Sequence, residues 1–195
     1  GVYKGLRLEG PEYETVFAFG GLCDIEDIES IMAINDYCDR AGLDTITGGN
    51  VVGFAIEAEK RGKLRSGLEM EYGDPEKVIK LLKMITNREG AGDILADGVK
   101  RASRKLRLPE LDSTVKGLEP PDYDPRGVVG MGLGYAVSSR GACHLRSTVQ
   151  VPEIRGVIDR SAYEQKAQWV VDLENRYAIF DSLIVCRFIR DALPW

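Results

Sequence analysis

Apolar residues recur along this chain at helical spacing, in stripes separated by glycine, proline and acidic positions. Ile25, Ile28, Ile31 and Met32 predict a helix that begins at Asp24, carries acids in its first turn and ends at Gly42. Val51, Val52, Phe54, Ala55 and Ala58 predict a second helix over 47–61, stopped by Gly62. The third is the clearest: Asp74 caps, Pro75 takes the first helical position, and Val78, Leu81, Leu82 and Ile85 form the apolar stripe. A fourth, over 92–106, sets Ile94, Leu95, Val99 and Ala102 against a basic side, which reads as a solvated face and not as a binding patch.

The last helix is expected over 162–188, with the stripe Tyr163, Ala167, Val170, Tyr177 and Asp181. An acid on that stripe predicts a buried carboxylate, and burial without a donor is costly, so a hydrogen-bond donor is expected beside Asp181. The opening, 1–19, reads as strand-like and loop-like pieces broken at Gly10-Pro11. No alternation of strands and helices follows. The expected fold is therefore mainly α, two packed helical domains with few short strands. Pro120-Pro121 and Asp124-Pro125 mark a break between about 112 and 127, and the domains are placed at 1–116 and 117–195. Beyond the break, Gly127-Val128-Val129-Gly130-Met131-Gly132-Leu133-Gly134-Tyr135-Ala136 lacks the Lys-Ser/Thr of a phosphate loop. Small residues that let a helix pack closely explain it better.

Composition narrows the class. At 195 residues with 44% hydrophobic and 29% charged residues, the chain is an ordinary globular protein, and a net charge of −5 argues against a nucleic-acid surface. No apolar run approaches the roughly 18 residues needed to cross a membrane. Gly1-Val2-Tyr3-Lys4-Gly5 has neither an initiator Met nor the apolar core of a signal peptide, and Ala192-Leu193-Pro194-Trp195 forms no polar tail. A piece excised from a longer polypeptide is expected, with oligomeric state open. Cys23, Cys38, Cys143 and Cys186 contain no CxxC pair and fit a reducing cytoplasm. Each alone is most simply a small buried hydrophobe.

Three places carry candidate chemistry. His144, the single histidine, follows Gly141-Ala142-Cys143 and is expected just past a helix end; its ordinary pKa suits proton transfer near neutrality, although a structural role is the blander account. Glu9-Gly10-Pro11-Glu12-Tyr13-Glu14-Thr15 gathers three acids; if it is extended, Glu12 and Glu14 share one face and Tyr13 takes the other. Asp39-Arg40-Ala41-Gly42-Leu43-Asp44-Thr45 flanks a helix C-terminus with two carboxylates, against the helix dipole, and has a looser echo in Asp181-Ser182-Leu183-Ile184-Val185-Cys186-Arg187. Two such turns suit a donor-rich heterocycle; an ordinary Asx-type turn fits the spacing equally.

These segments, with Arg140-Gly141-Ala142-Cys143-His144-Leu145, occur in one order that resembles the aldehyde ferredoxin oxidoreductase family, tungsten-pterin enzymes of anaerobic microbes. The resemblance covers that family's helical middle and C-terminal domains. It implies that Asp39, Leu43 and Asp44 contact one pterin of a tungsten (or molybdenum) bis-pterin cofactor, and that Asp181 and Val185 contact the other. Cys186 would be one thiolate ligand of a 4Fe–4S cluster. Glu14 matches the family's active-site glutamate with Tyr13 beside it, and His144 its histidine near the metal. The implied reaction oxidises an aldehyde to a carboxylic acid and passes electrons to ferredoxin. The sequence departs in two respects. Ile184-Val185 stand where the family has Gly-Leu. The CxxCxxxC that supplies the other cluster thiolates, and the N-terminal β domain, are not present. The piece alone is thus expected to be without cofactor and inactive. A helical scaffold or interaction module that has lost the cofactor is the alternative.

Overall fold

Three of the longer helices begin on an aspartate whose carboxylate accepts main-chain N–H groups left open by the first turn. In the computed structural model, which describes residues 5–187 and 189, Asp27 caps α2 (Ile28–Ala41) through Glu29 and Ser30, at 3.3 and 2.9 Å. Asp44 caps α3 (Thr45–Lys60) through Thr47 at 2.7 Å, and Asp74 caps α4 (Pro75–Asn87) through Lys77 at 3.0 Å. The α4 reading holds in full: Pro75 occupies the first turn and Val78, Leu81, Leu82 and Ile85 are buried. The helix expected from Asp24 starts later, because Asp24 sits in a left-handed turn (φ 61°) and Asp27 does the capping. Phe188, Gly1 to Lys4 and Ala192-Leu193-Pro194-Trp195 lie outside the described residues.

The mainly α architecture is as expected; among the described residues the only β pairing is an isolated bridge between Val115 and Leu118. The chain divides into two compact units, one up to Asp122 and the other from Tyr123. At the centre of the first lies α3. Val51, Val52, Phe54, Ala55, Ile56 and Ala58 are all buried, so the helix is enclosed on every side.

From Tyr13 the opening is helical, not strand-like; residues 5–12 are loop, as expected. After Pro11, Glu12 takes the cap position and α1 (Tyr13–Val16) runs directly into a π-helical turn, Phe17–Gly21. That turn lies against α3 so closely that a Cβ at Gly49 would stand 2.4 Å from the Ala18 carbonyl oxygen. The helix expected over 92–106 is two, α5 (Ala91–Leu95) and α6 (Val99–Leu106), because Gly98 at φ 84° breaks the ladder. Buried Glu119 accepts from the Val99 N–H at 2.8 Å and from Thr47 Oγ1 at 3.3 Å, and Asn50 Nδ2 donates to the Pro120 carbonyl at 3.0 Å. The strap before Asp122 is thereby tied to α3 and α6.

In the second unit, α7 (Val129–Val137) carries the glycine-rich run and packs closely, as predicted: a Cβ at Gly134 would lie 2.6 Å from Ser147 Oγ. The shorter α8 (His144–Ser147) and α9 (Gln150–Ile154) lead to α10 (Lys166–Ser182). Glu153 and Lys166 form a buried ion pair, completed by the Gly130 N–H on Glu153 at 2.8 Å and the Asp159 carbonyl on Lys166. Helix α10 starts later than expected, leaving Tyr163 outside it and 80% exposed. Its buried stripe is Lys166, Val170, Tyr177 and Phe180. Asp181, one residue past Phe180 and so turned about 100° around the axis, is exposed and not buried as its spacing predicted. No helix among the described residues is long and apolar enough to cross a membrane.

The Gly49 contact is with backbone, which has little room to yield. Gly49→Ala is expected to destabilise the protein by about 3 kcal/mol, read as a lower urea midpoint at unchanged m-value.

Candidate functional site

Helix α2 ends where Gly42 adopts φ 69°, ψ 31°, letting the Leu43 N–H reach the Cys38 carbonyl at 2.9 Å and the Gly42 N–H the Asp39 carbonyl at 3.3 Å. Both aspartates of this turn are fixed locally: Asn35 Nδ2 donates to Asp39 at 2.9 Å and the Thr47 N–H to Asp44. The sequence placed Asp44 against a helix dipole. The structure corrects this, since Asp44 opens α3, where the dipole favours its charge. Asp39, Leu43 and Asp44 line a cavity of about 740 Å³. Glu9, Glu12 and Asp36 add further carboxylates to its wall, with Arg7 and Arg40 opposing them.

Glu12 and Glu14 do not share the face of a strand, because Tyr13 and Glu14 occupy the first turn of α1. Half-buried Glu14 accepts the Asp122 N–H at 3.0 Å. Burial pushes its carboxyl above the usual range; the Asp122 N–H opposes the shift, and the charges of Asp122 and Asp44 add to it. The Tyr13 hydroxyl donates to the Asp122 carboxylate, and the Thr15 and Thr45 hydroxyls meet at 2.9 Å. Sequence reading missed Asp122: it lies 108 residues from Glu14, and no local pattern links them.

The second turn repeats the first. The Val185 N–H reaches the Phe180 carbonyl at 2.9 Å and the Ile184 N–H the Asp181 carbonyl at 3.2 Å. Ile184 takes the place of Gly42, at φ 56° and 94% exposed. The donors expected at Asp181 are guanidinium groups at the surface. Arg187 Nε lies at 3.0 Å, with a second, shorter bond from the same side chain, and Arg146 at 3.5 Å. They hold the Asp181 carboxyl below its usual range, Arg187 contributing most. The three side chains line a smaller cavity of about 370 Å³. Val185 is half-buried.

His144 opens α8 and does not follow a helix end. Its ring stands 5.6 Å from that of Tyr123, and burial, with the charges of Arg187 and Arg140, lowers its pKa to about 4. Cys186 is exposed, whereas Cys23, Cys38 and Cys143 are buried. Burial raises the Cys23 and Cys38 thiols to about 12. Among the described residues no group of three or more His, Cys, Asp or Glu is placed to hold a metal ion. A cubane cluster takes about four ligands, and Cys186 would be one of them.

Two measurements follow from this geometry. A β-branched residue in the left-handed region costs about 1–2 kcal/mol, partly offset by the backbone freedom glycine adds to the unfolded chain. Ile184→Gly is therefore expected to stabilise the protein by about 0.5–1 kcal/mol in urea unfolding. His144 has a folded pKa of about 4 against 6.5 for an ordinary imidazole, so the unfolded chain binds the extra proton between those values. Stability should be intact above pH 6.5 and fall as pH drops toward 4, and His144→Asn should flatten that fall in thermal melts.

A family profile described as "Aldehyde ferredoxin oxidoreductase, domains 2 & 3" matches residues 1–195. A tungsten-containing aldehyde ferredoxin oxidoreductase of Pyrococcus furiosus is 38% identical over 189 residues, covering 92% of this chain and 31% of the relative. The enzyme of that name from Pyrococcus horikoshii is 37% identical over 191 residues, 92% of this chain and 32% of its own length. An aliphatic sulfonate oxidoreductase, WOR-like subunit, of Pyrococcus furiosus is 32% identical over 207 residues, 97% of this chain and 30% of the relative. The chain thus spans about a third of the length of the relatives it matches. With its motifs falling on two matching helix-terminal turns, the chain belongs to the aldehyde ferredoxin oxidoreductase family.

Proposed function

We propose that this chain is part of the catalytic region of a tungsten-pterin oxidoreductase that oxidises aldehydes to carboxylic acids and passes the electrons to ferredoxin. The carrying observation is the repeated turn. Asp39-to-Leu43 and Asp181-to-Val185 close with the same pair of main-chain bonds, each setting an aspartate at the rim of a cavity. The donor set fits the group. Pterin rings carry N–H donors, the aspartates are acceptors, and about 740 Å³ is ample for one heterocycle. Asp39, Leu43 and Asp44 would hold one pterin; Asp181 and Val185 would hold the other once Arg146 and Arg187 yield part of the Asp181 carboxylate. When bound, the tungsten bis-pterin supplies the two-electron redox chemistry. A 4Fe–4S cluster in the whole protein would need three ligands besides Cys186.

Glu14 suits a base: its raised pKa makes it a better proton acceptor than an ordinary carboxylate, and the Asp122 N–H fixes its aim. We assign His144 to a proton shuttle: a pKa of about 4 keeps it neutral at pH 7 and makes its protonated ring a ready donor, at the cost of weaker uptake. Tyr13 stands beside Glu14 to orient the substrate. We place the protein in the reducing cytoplasm.

The test uses the full-length protein produced anaerobically with tungstate. Asp39→Ala, which spares the cap made by Asp44, should lower bound tungsten by metal analysis. Glu14→Gln should keep the tungsten and lose about 100-fold in aldehyde turnover. Wild-type turnover in Glu14→Gln would overturn the catalytic assignment, and a parent protein without tungsten would favour the scaffold alternative.

A further inference from the structure

We propose that Asp122 is a positioning residue for the Tyr13–Glu14 pair, holding Glu14 through its main-chain N–H and Tyr13 through its carboxylate. This rests on the reading of Tyr13 and Glu14 as active-site groups. One residue contacts both neighbours at once: its N–H lies 3.0 Å from Glu14 Oε2, and its side chain accepts the Tyr13 hydroxyl. Tyr13 is 61% exposed, so packing alone does not fix its ring, and the bond to Asp122 restrains it. Asp122 is itself immobilised by the strap before it, where Glu119 caps α6 and Asn50 of α3 holds the Pro120 carbonyl. The restraint is thus referred to the central helix of the first unit.

The arrangement has a chemical consequence. With its proton given to Asp122, the Tyr13 hydroxyl has none to give a substrate. It does not polarise a carbonyl.

The experiment is a double-mutant cycle in the full-length, cofactor-loaded enzyme with Asp122→Ala, Tyr13→Phe and their combination, alongside Asp122→Asn and Glu14→Gln. Asp122→Ala should lower kcat about tenfold with KM and metal content near wild type. Tyr13→Phe should lose a similar factor, and the double variant no more than either single. Asp122→Asn, whose amide oxygen still accepts from Tyr13, should restore most of the rate. In protein labelled with 13C at the tyrosine ζ carbon, the resonance that Tyr13→Phe removes should shift in Asp122→Ala and return in Asp122→Asn. Multiplicative losses in the double variant, wild-type kcat in Asp122→Ala, or an unmoved Tyr13 resonance would overturn the proposal. If Asp122→Ala does not fold, Tyr13→Phe decides, and wild-type kcat there overturns it. Glu14→Gln with full turnover would instead sink the catalytic reading, whatever the cycle shows.

Discussion

The first unit depends on how closely its opening helix can approach the one at its centre. α3 is buried all round, and at Gly49 it presents bare backbone to the Ala18 carbonyl. A side chain there would push the Tyr13-to-Gly21 segment outward. Because the segment lies flat, the Thr15 hydroxyl reaches Thr45 at the first turn of α3, one residue after Asp44. Glu14 then feels the Asp44 charge, and the carboxylates that line the cavity come from two parts of the sequence. The same helix binds the strap through Thr47 and Asn50, which delivers Asp122 to Tyr13 and Glu14. A single close approach thus fixes the Asp39-to-Asp44 turn and the proposed base relative to each other.

The two turns show how one geometry is built from different residues. Gly42 enters the left-handed region at no steric cost, and Ile184 enters it against its β-branch. The second turn survives because its main-chain bonds are intact and Arg187 ties Asp181 from beyond it. Strain held in place by surrounding contacts is common at functional sites. The substitution that weakened the motif as a sequence pattern leaves its hydrogen bonding unchanged.

Electrostatics divides the candidate groups into those whose charge is resisted and those whose charge is supported. Glu14 and His144 are pushed toward their neutral forms, mainly by burial. Asp181 is pushed toward its charged form by Arg187. A carboxyl with a raised pKa accepts a proton more readily, a histidine with a lowered one releases it more readily, and a carboxylate held charged can accept hydrogen bonds. The proposed roles follow that division.

The sequence by itself determined what depends on short range. Helical spacing and capping residues located the start and the buried stripe of α4, and they announced the mainly α class. The order of motifs announced the family. Glycine at 42 and the small residues of α7 had their geometry written locally. Only the tertiary structure decided which side of α10 faces inward. The stripe is set by Phe180 and not Asp181, because packing against neighbours chooses among nearly equivalent helix faces. It also decided that Asp44 starts a helix instead of opposing one, and that Tyr13 and Glu14 lie in a helical turn. The bond from Asp122 to Glu14 spans 108 residues, and no periodicity encodes a contact that exists only once α3 and the strap have packed.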